Sequence, residues 1–198
     1  MIEFNNLSQE IPYLVFKEKY NDSLNANQSN IEAVCIASYS SKKEEVNARF
    51  VNLKFVNNKE FIFFSNYKSP KSQDFITHTQ ITALIYWNSI NLQIRMKARI
   101  KKTPREFNQE YFKQRDKKKN ALAISSAQSD QIASYDDVYK NYNKSLENDN
   151  LIECPDYWGG YSFIPYYFEF WEGHESRLNK REVYEIKNND WMHFILQP

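Results

Sequence analysis

Between Gln93 and Lys101 the chain alternates without a break. Gln93, Arg95, Lys97 and Arg99 take one set of positions, and Ile94, Met96, Ala98 and Ile100 take the other. A period of two sends successive side chains to opposite faces of a strand, so this segment has one wet face and one apolar face. Drawn as a helix, the same residues would spread their charges all round. The segment reads as a strand of a sheet buried on one side only, which is the habit of antiparallel sheets.

Related runs recur along the chain. Arg49–Val56 places Phe50, Asn52, Lys54 and Val56 on one face and Val51, Leu53 and Phe55 on the other. Residues 33–40 (AVCIASYS), Phe61–Phe64 and Ile81–Trp87 are short apolar runs, and Tyr161–Trp171, Glu182–Ile186 and Trp191–Leu196 return to strand in the last third. Helices interrupt them. Ser69-Pro70 and Thr103-Pro104 each set a proline in a first helical turn, opening Lys71–Thr77 and Glu106–Arg115. Ala121–Ser129 and Asp136–Leu146 are further helical segments, and the Asn-rich stretch 141–150 reads as a surface connection. Near the start, Ile11, Leu14, Val15 and Leu24 among charged residues suggest an amphipathic helix, followed by a polar link at Asn25–Asn30. The expected fold is α+β and mainly β: a barrel with peripheral helices over 31–198, preceded by a helical extension over 1–30.

Composition narrows the function. Only 3 of 198 residues are glycine, and no two have the spacing of a P-loop or a dinucleotide fingerprint. With 41% hydrophobic and 16% aromatic residues the chain can bury a sizeable core. A formal charge of +1 lacks the basic field that nucleic acid requires. Cys35 and Cys154 make neither a disulfide framework nor a four-ligand zinc set, which points to a reducing, cytoplasmic setting. His78, His174 and His193 show no metal-ligand spacing, so no metal is expected. No run reaches 18 apolar residues, and MIEFNNLSQE lacks the basic and apolar regions of a signal peptide, so no membrane partner is expected.

What stands out instead is cations set among aromatic strands. Arg49 and Lys54 bracket one strand, Lys71 sits in a first helical turn, and Arg115 follows Tyr111 by four residues on one helix face. Arg177 and Arg181 flank Asn179 just after the EFW run at 169–171. Singly, each reads as a solvated surface charge. Converging on a barrel rim, they can grip phosphates through charge-assisted bonds. Trp171 suits either a core position or a bed for a flat heteroaromatic ring.

In order, RFVNLK (49–54), FFSNYKSPK (63–71), LQIR (92–95), YFKQR (111–115), AQS (127–129), WGG (158–160), EFWEGHESRLNKR (169–181) and ILQP (195–198) resemble the pyridoxamine 5′-phosphate oxidase family. These are the FMN enzymes of vitamin B6 metabolism. The resemblance implies an FMN-binding split β-barrel that forms a homodimer with FMN at the subunit interface. It implies FMN contacts from Arg49, Phe50, Val51, Asn52, Leu53, Lys54, Phe64, Ser65, Lys71, Gln93, Gln128, Ser129, Trp171 and Arg181, with Arg49 and Lys71 on the phosphate. It implies a phosphorylated B6 vitamer held by Lys54, Tyr111, Arg115, Lys119, Arg177 and Asn179, with Arg177 and Asn179 as the catalytic residues. The implied reaction oxidises pyridoxamine or pyridoxine 5′-phosphate to pyridoxal 5′-phosphate and gives hydrogen peroxide.

The chain also departs from the family's pattern. Pro70 stands where an arginine usually precedes the phosphate-binding lysine, and Phe64 stands where a tyrosine is usual. Lys119 replaces a small hydroxyl residue, Asn179 a histidine, and Ala98 a glycine. Two readings follow: the oxidase itself, or an FMN-binding split-barrel protein of the same family with altered or lost substrate specificity.

Overall fold

The computed structural model describes all 198 residues. The elements run β1 (Glu3–Asn5), α1 (Ile11–Asn25), β2 (Ala33–Ser40), β3 (Glu45–Asn57), β4 (Glu60–Asn66), α2 (Pro70–Thr77), β5 (Gln80–Trp87) and β6 (Leu92–Lys102). They continue with α3 (Arg105–Gln114), α4 (Lys117–Ser125), α5 (Tyr135–Asn148), β7 (Trp158–Glu172), β8 (Lys180–Lys187) and β9 (Asp190–Leu196). No helix is long and apolar enough to cross a membrane.

Pairing closes part of the sheet on itself. β3 pairs β2, β2 pairs β5, β5 pairs β6 and β6 pairs β7, while β4 pairs both β7 and β3, all antiparallel. The pairings run round a closed cycle of six strands. β7 splits the barrel. Its first part, Trp158–Phe163, pairs with β4, and its second part, Tyr167–Glu172, pairs with β8, which carries β9 outward. The expected mainly-β split barrel with peripheral helices is the observed architecture.

One strand departs from simple alternation. Leu53 pairs Phe63, but Phe55 pairs Ile62, so Lys54 is the extra residue of a β-bulge. The bulge shifts the phase of β3, and Leu53 and Val56, three apart, are both fully buried. The sequence pattern placed Val56 with Lys54; the structure separates them. A bulge re-aims the side chain it carries, and Lys54 lines the cavity described below.

The first 30 residues carry more than a helix. β1 lies parallel to β3, and α1 packs Tyr13, Phe16 and Tyr20 into the barrel core. Phe16 meets Phe61 edge-on at 5.0 Å, and Tyr20 meets Trp87 at 6.0 Å. These rings recur at helical spacing and bury more area than aliphatic side chains. They win the inward face from Ile11, Leu14 and Leu24, which are 60%, 41% and 40% exposed.

Two helical boundaries also move. α4 begins at Lys117 because the Asp116 side chain accepts a hydrogen bond from Lys119 N, and it ends at Ser125 rather than Ser129. The segment 126–129 leaves the helix, with Ser129 at φ 76°. The Asn-rich stretch is helical as far as Asn148, because Ser134 caps α5 by accepting from Asp137 N.

Gly160 sits where β7 meets the start of α3. Its N–H donates to Asn108 Oδ1 at 2.8 Å, and its carbonyl accepts from Thr103 N and Tyr67 Oη, each at 3.0 Å. A Cβ there would lie 2.5 Å from Thr103 Oγ1. Gly160→Ala is therefore expected to destabilise the fold by about 1–3 kcal/mol through overpacking. Thermal unfolding checks it, and an unchanged Tm would refute the packing argument.

Candidate active site

A cavity of about 640 Å³ opens between β3, β4, α2 and the α3–α4 junction. Of the residues singled out above, Arg49, Phe50, Val51, Asn52, Lys54, Phe64, Ser65, Lys71, Tyr111, Arg115, Lys119, Gln128 and Ser129 line it. Leu53 does not. Its side chain is fully buried in the core, and its N–H donates to Glu32 O at 2.8 Å.

Lys71 fixes one end. The Ser69-Pro70 start of α2 holds it in the first turn, only 7% exposed. Its ammonium donates to Ser65 Oγ and Ser69 Oγ, both at 3.1 Å, and no carboxylate lies within ion-pair reach. Burial, and then the nearby Arg49 charge, pull its pKa down to about 8. An ammonium buried among hydroxyls is costly unless an anion joins it. Ser65 Oγ donates onward to Gln128 Oε1 at 3.2 Å, which draws the 126–129 turn into the wall.

Arg49 stands beside Lys71. Its Nη1 donates to Ser38 Oγ at 2.7 Å and to Ile36 O at 3.2 Å, and Asp74 Oδ2 lies 3.9 Å from Nη2. Ser38 Oγ in turn donates to Asp74 Oδ2 at 2.9 Å. Burial holds the Arg49 guanidinium below its ordinary value, with Asp74 acting in the opposite sense.

The other end is aromatic and cationic. Phe64 stacks on Tyr111 with ring centroids 4.0 Å apart and on Trp158 at 5.0 Å, and the Arg115 guanidinium lies over Trp158 at 5.1 Å. Burial pushes the Tyr111 hydroxyl up, so it stays a donor at neutral pH. The cavity gathers five cations, Arg49, Lys54, Lys71, Arg115 and Lys119, against one carboxylate, Asp116. Among the five only Arg49 has a carboxylate within 4.0 Å. Such a donor set fits a ligand carrying more than one anionic group.

The remaining expected residues are elsewhere. Gln93, Trp171 and Arg181 line a separate shallow cleft with Leu84, Arg95, Glu169 and Pro198, and it shares no lining residue with the cavity. Glu169 is 2% exposed and grips both arginines, Arg95 and Arg181, the latter with Nε at 2.9 Å. Burial opposes its charge, but hydrogen bonds from Arg95, Arg181 and Tyr167 hold its carboxyl below the ordinary value. Arg177 and Asn179 lie on the exposed loop before β8, outside both. Arg177 takes a positive φ of 59°, and Asn179 Oδ1 accepts from His174 N at 3.0 Å. One chain therefore does not bring Arg177 and Asn179 to Lys54, Tyr111 and Arg115.

Sequence reasoning missed the residues that hold the arginines: Ser38 and Asp74 for Arg49, Asn120 for Arg115, and Glu169 for Arg181. Ser38 left a signal, since it falls in the inward phase set by Val34 and Ile36, where a hydroxyl needs a partner.

Residues 158–198 match the family described as the pyridoxine 5′-phosphate oxidase C-terminal dimerisation region. A pyridoxine/pyridoxamine 5′-phosphate oxidase from Hydrogenovibrio crunogenus is 32% identical over 194 residues, 96% of this chain and 89% of the relative. Another from Leptospira biflexa is 35% identical over 153 residues, 76% of this chain and 72% of the relative. Among solved structures, PhzG from Burkholderia lata, determined with tetrahydrophenazine-1-carboxylic acid, superposes with a TM-score of 0.89 at 22% identity. That match covers 94% of this chain and 92% of PhzG.

Proposed function

Because the chain belongs to the pyridoxine/pyridoxamine 5′-phosphate oxidase family, we propose that it oxidises pyridoxamine or pyridoxine 5′-phosphate to pyridoxal 5′-phosphate, using FMN and dioxygen. The observation that carries this reading is the buried Lys71 ammonium, which has hydroxyl partners but no carboxylate, beside Arg49. That pair suits the phosphate of FMN, with Ser65, Gln128 and Ser129 beside it on the same wall. Bound there, FMN would supply the two-electron redox chemistry between the vitamer's C4′ carbon and dioxygen, with hydrogen peroxide as co-product and, for the pyridoxamine phosphate, water taken up and ammonia released.

The chain's own residues bind and orient. Lys54, Arg115 and Lys119 offer cations for the vitamer's phosphate, and Tyr111 offers a protonated hydroxyl and a ring face. The stack through Phe64 and Trp158 holds the Tyr111 ring in place on that wall. Gln93, Trp171, Arg177, Asn179 and Arg181 join the site from a second copy of the chain, in a homodimer that uses the dimerisation region at 158–198.

The test is flavin reduction without oxygen. Pyridoxamine 5′-phosphate added anaerobically to the yellow protein is expected to bleach the flavin, and air is expected to restore the colour with one peroxide per turnover. A yellow protein that neither vitamer reduces would sink the oxidase reading. One observation favours a second reading in that case: Asn179 spends its side-chain oxygen on His174 N. The protein would then be an FMN-dependent relative with a changed substrate.

A further inference from the structure

Arg115 is the one cavity arginine without a carboxylate within 4.0 Å. Arg49 has Asp74, and in the neighbouring cleft Arg95 and Arg181 share Glu169. What holds Arg115 is neutral. Its Nη1 donates to Lys119 O at 2.8 Å and to Asn120 Oδ1 at 2.9 Å, while the guanidinium rests over Trp158.

Asn120 is fully buried, at 0% exposure. Its Nδ2 donates to Phe112 O and to Leu151 O, both at 2.8 Å. Those carbonyls belong to the last turn of α3 and to the segment after α5, so one amide ties three parts of the chain together. With both amide hydrogens committed to carbonyls, the amide oxygen has a single orientation left, toward Arg115. A buried amide that spends every bond in this way fixes a geometry rather than filling space.

We propose that Asn120 is a positioning residue that aims Arg115 with a neutral acceptor, so that a guanidinium in direct contact with no carboxylate meets the anionic group of the substrate. A carboxylate in its place would hold Arg115 equally well and cancel the charge that the ligand needs. The inference rests on the substrate reading above for the identity of the ligand, but not for the coupling between Asn120 and Arg115.

The experiment titrates the FMN-loaded protein with pyridoxal 5′-phosphate and, separately, with inorganic phosphate, following flavin fluorescence. Asn120→Ala is expected to weaken both by about tenfold, the loss that follows when a hydrogen bond to a charged group is removed. Asn120→Asp is expected to weaken them at least as much. In an Arg115→Ala background, Asn120→Ala is expected to change neither affinity further, which a merely structural role would not predict. Equal losses in both backgrounds, or anion binding that ignores Arg115, overturn the proposal. Phosphate binding that depends on both residues, together with indifference to pyridoxal 5′-phosphate, keeps the proposal and removes the substrate reading. If neither Asn120 variant folds, side-chain nitrogen relaxation of wild-type Arg115 decides. A guanidinium as rigid as the backbone before any ligand binds supports the proposal, and a mobile one overturns it.

Discussion

Lys71→Met is expected to give a folded protein that purifies almost colourless. The side chain is 7% exposed, and its only partners are Ser65 and Ser69 hydroxyls. In the empty protein its charge is therefore a burden, and methionine fills the space without it. The apoprotein is expected to keep or raise its Tm. FMN loses a charge-assisted contact to its phosphate, and its dissociation constant is expected to rise about a hundredfold. Flavin absorbance per protein, fluorescence titration of added FMN and thermal unfolding of the apoprotein check the two halves. A variant that stays fully yellow removes Lys71 from the flavin site.

The same lysine sets a pH dependence. Its pKa in the empty protein lies near 8, below the ordinary lysine value of 10.5, first through burial and then through Arg49. Below about pH 8 the ammonium is already charged, and FMN binds without taking up a proton. Above it the group is neutral, and binding must recruit a proton, so affinity is expected to fall by up to about tenfold per pH unit. Stability of the empty protein runs the other way. Between about pH 8 and 10.5 the unfolded chain holds the proton that the folded one has lost, so this group adds stability as pH rises through that window. Opposite slopes for affinity and stability are the mark of a buried cation that waits for an anion.

How much of this the sequence displays depends on the scale of the interaction. Alternation is local, so Gln93–Lys101 and the apolar runs place the strands well. The proline-led starts of α2 and α3 are equally local. The bulge at Lys54 is not, because it depends on which residues of β4 oppose β3. The inward face of α1 is not either. Ile11 and Leu14 look like core residues until Tyr13, Phe16 and Tyr20 are seen to reach Phe61, Trp87 and Phe168. The cavity residues could be named one by one through motif resemblance, but their supports could not. Asp74 and Asn120 sit in mixed polar stretches of the sequence and Glu169 alone in an aromatic run, and only burial and the bonds it forces show that each is spent on an arginine. The resemblance also gave one list of site residues where the structure has separate groups.

That separation leads to the second large effect, which is complementation between two inactive variants. Register partners trace a single outward row across the sheet. Phe50 lies opposite Cys35, Cys35 opposite Leu84, Leu84 opposite Arg95, and Arg95 opposite Glu169. The cavity rim is at one end of this row and the Gln93–Trp171–Arg181 cleft at the other. The row's cavity end carries exposed apolar side chains, with Phe50 at 73% and Val46, four residues before it on the same strand, at 71%; Tyr86, two residues after Leu84, is 55% exposed. A two-fold axis through such a stripe covers it with its own copy and sets the cavity of one chain against the cleft of the other. Lys71→Ala damages only the cavity half and Arg181→Ala only the cleft half, and each alone is expected to be poor in flavin and nearly inactive. A mixed dimer contains one site with both lesions and one with neither. Random mixing makes about half the dimers mixed, so about a quarter of all sites are intact. Co-expressing the two variants is therefore expected to restore about a quarter of wild-type bound flavin and peroxide production. The double variant Lys71→Ala/Arg181→Ala, co-expressed with itself, is expected to restore none. Full loss in the mixed preparation would mean that both halves serve the same chain, and the shared site would have to be abandoned.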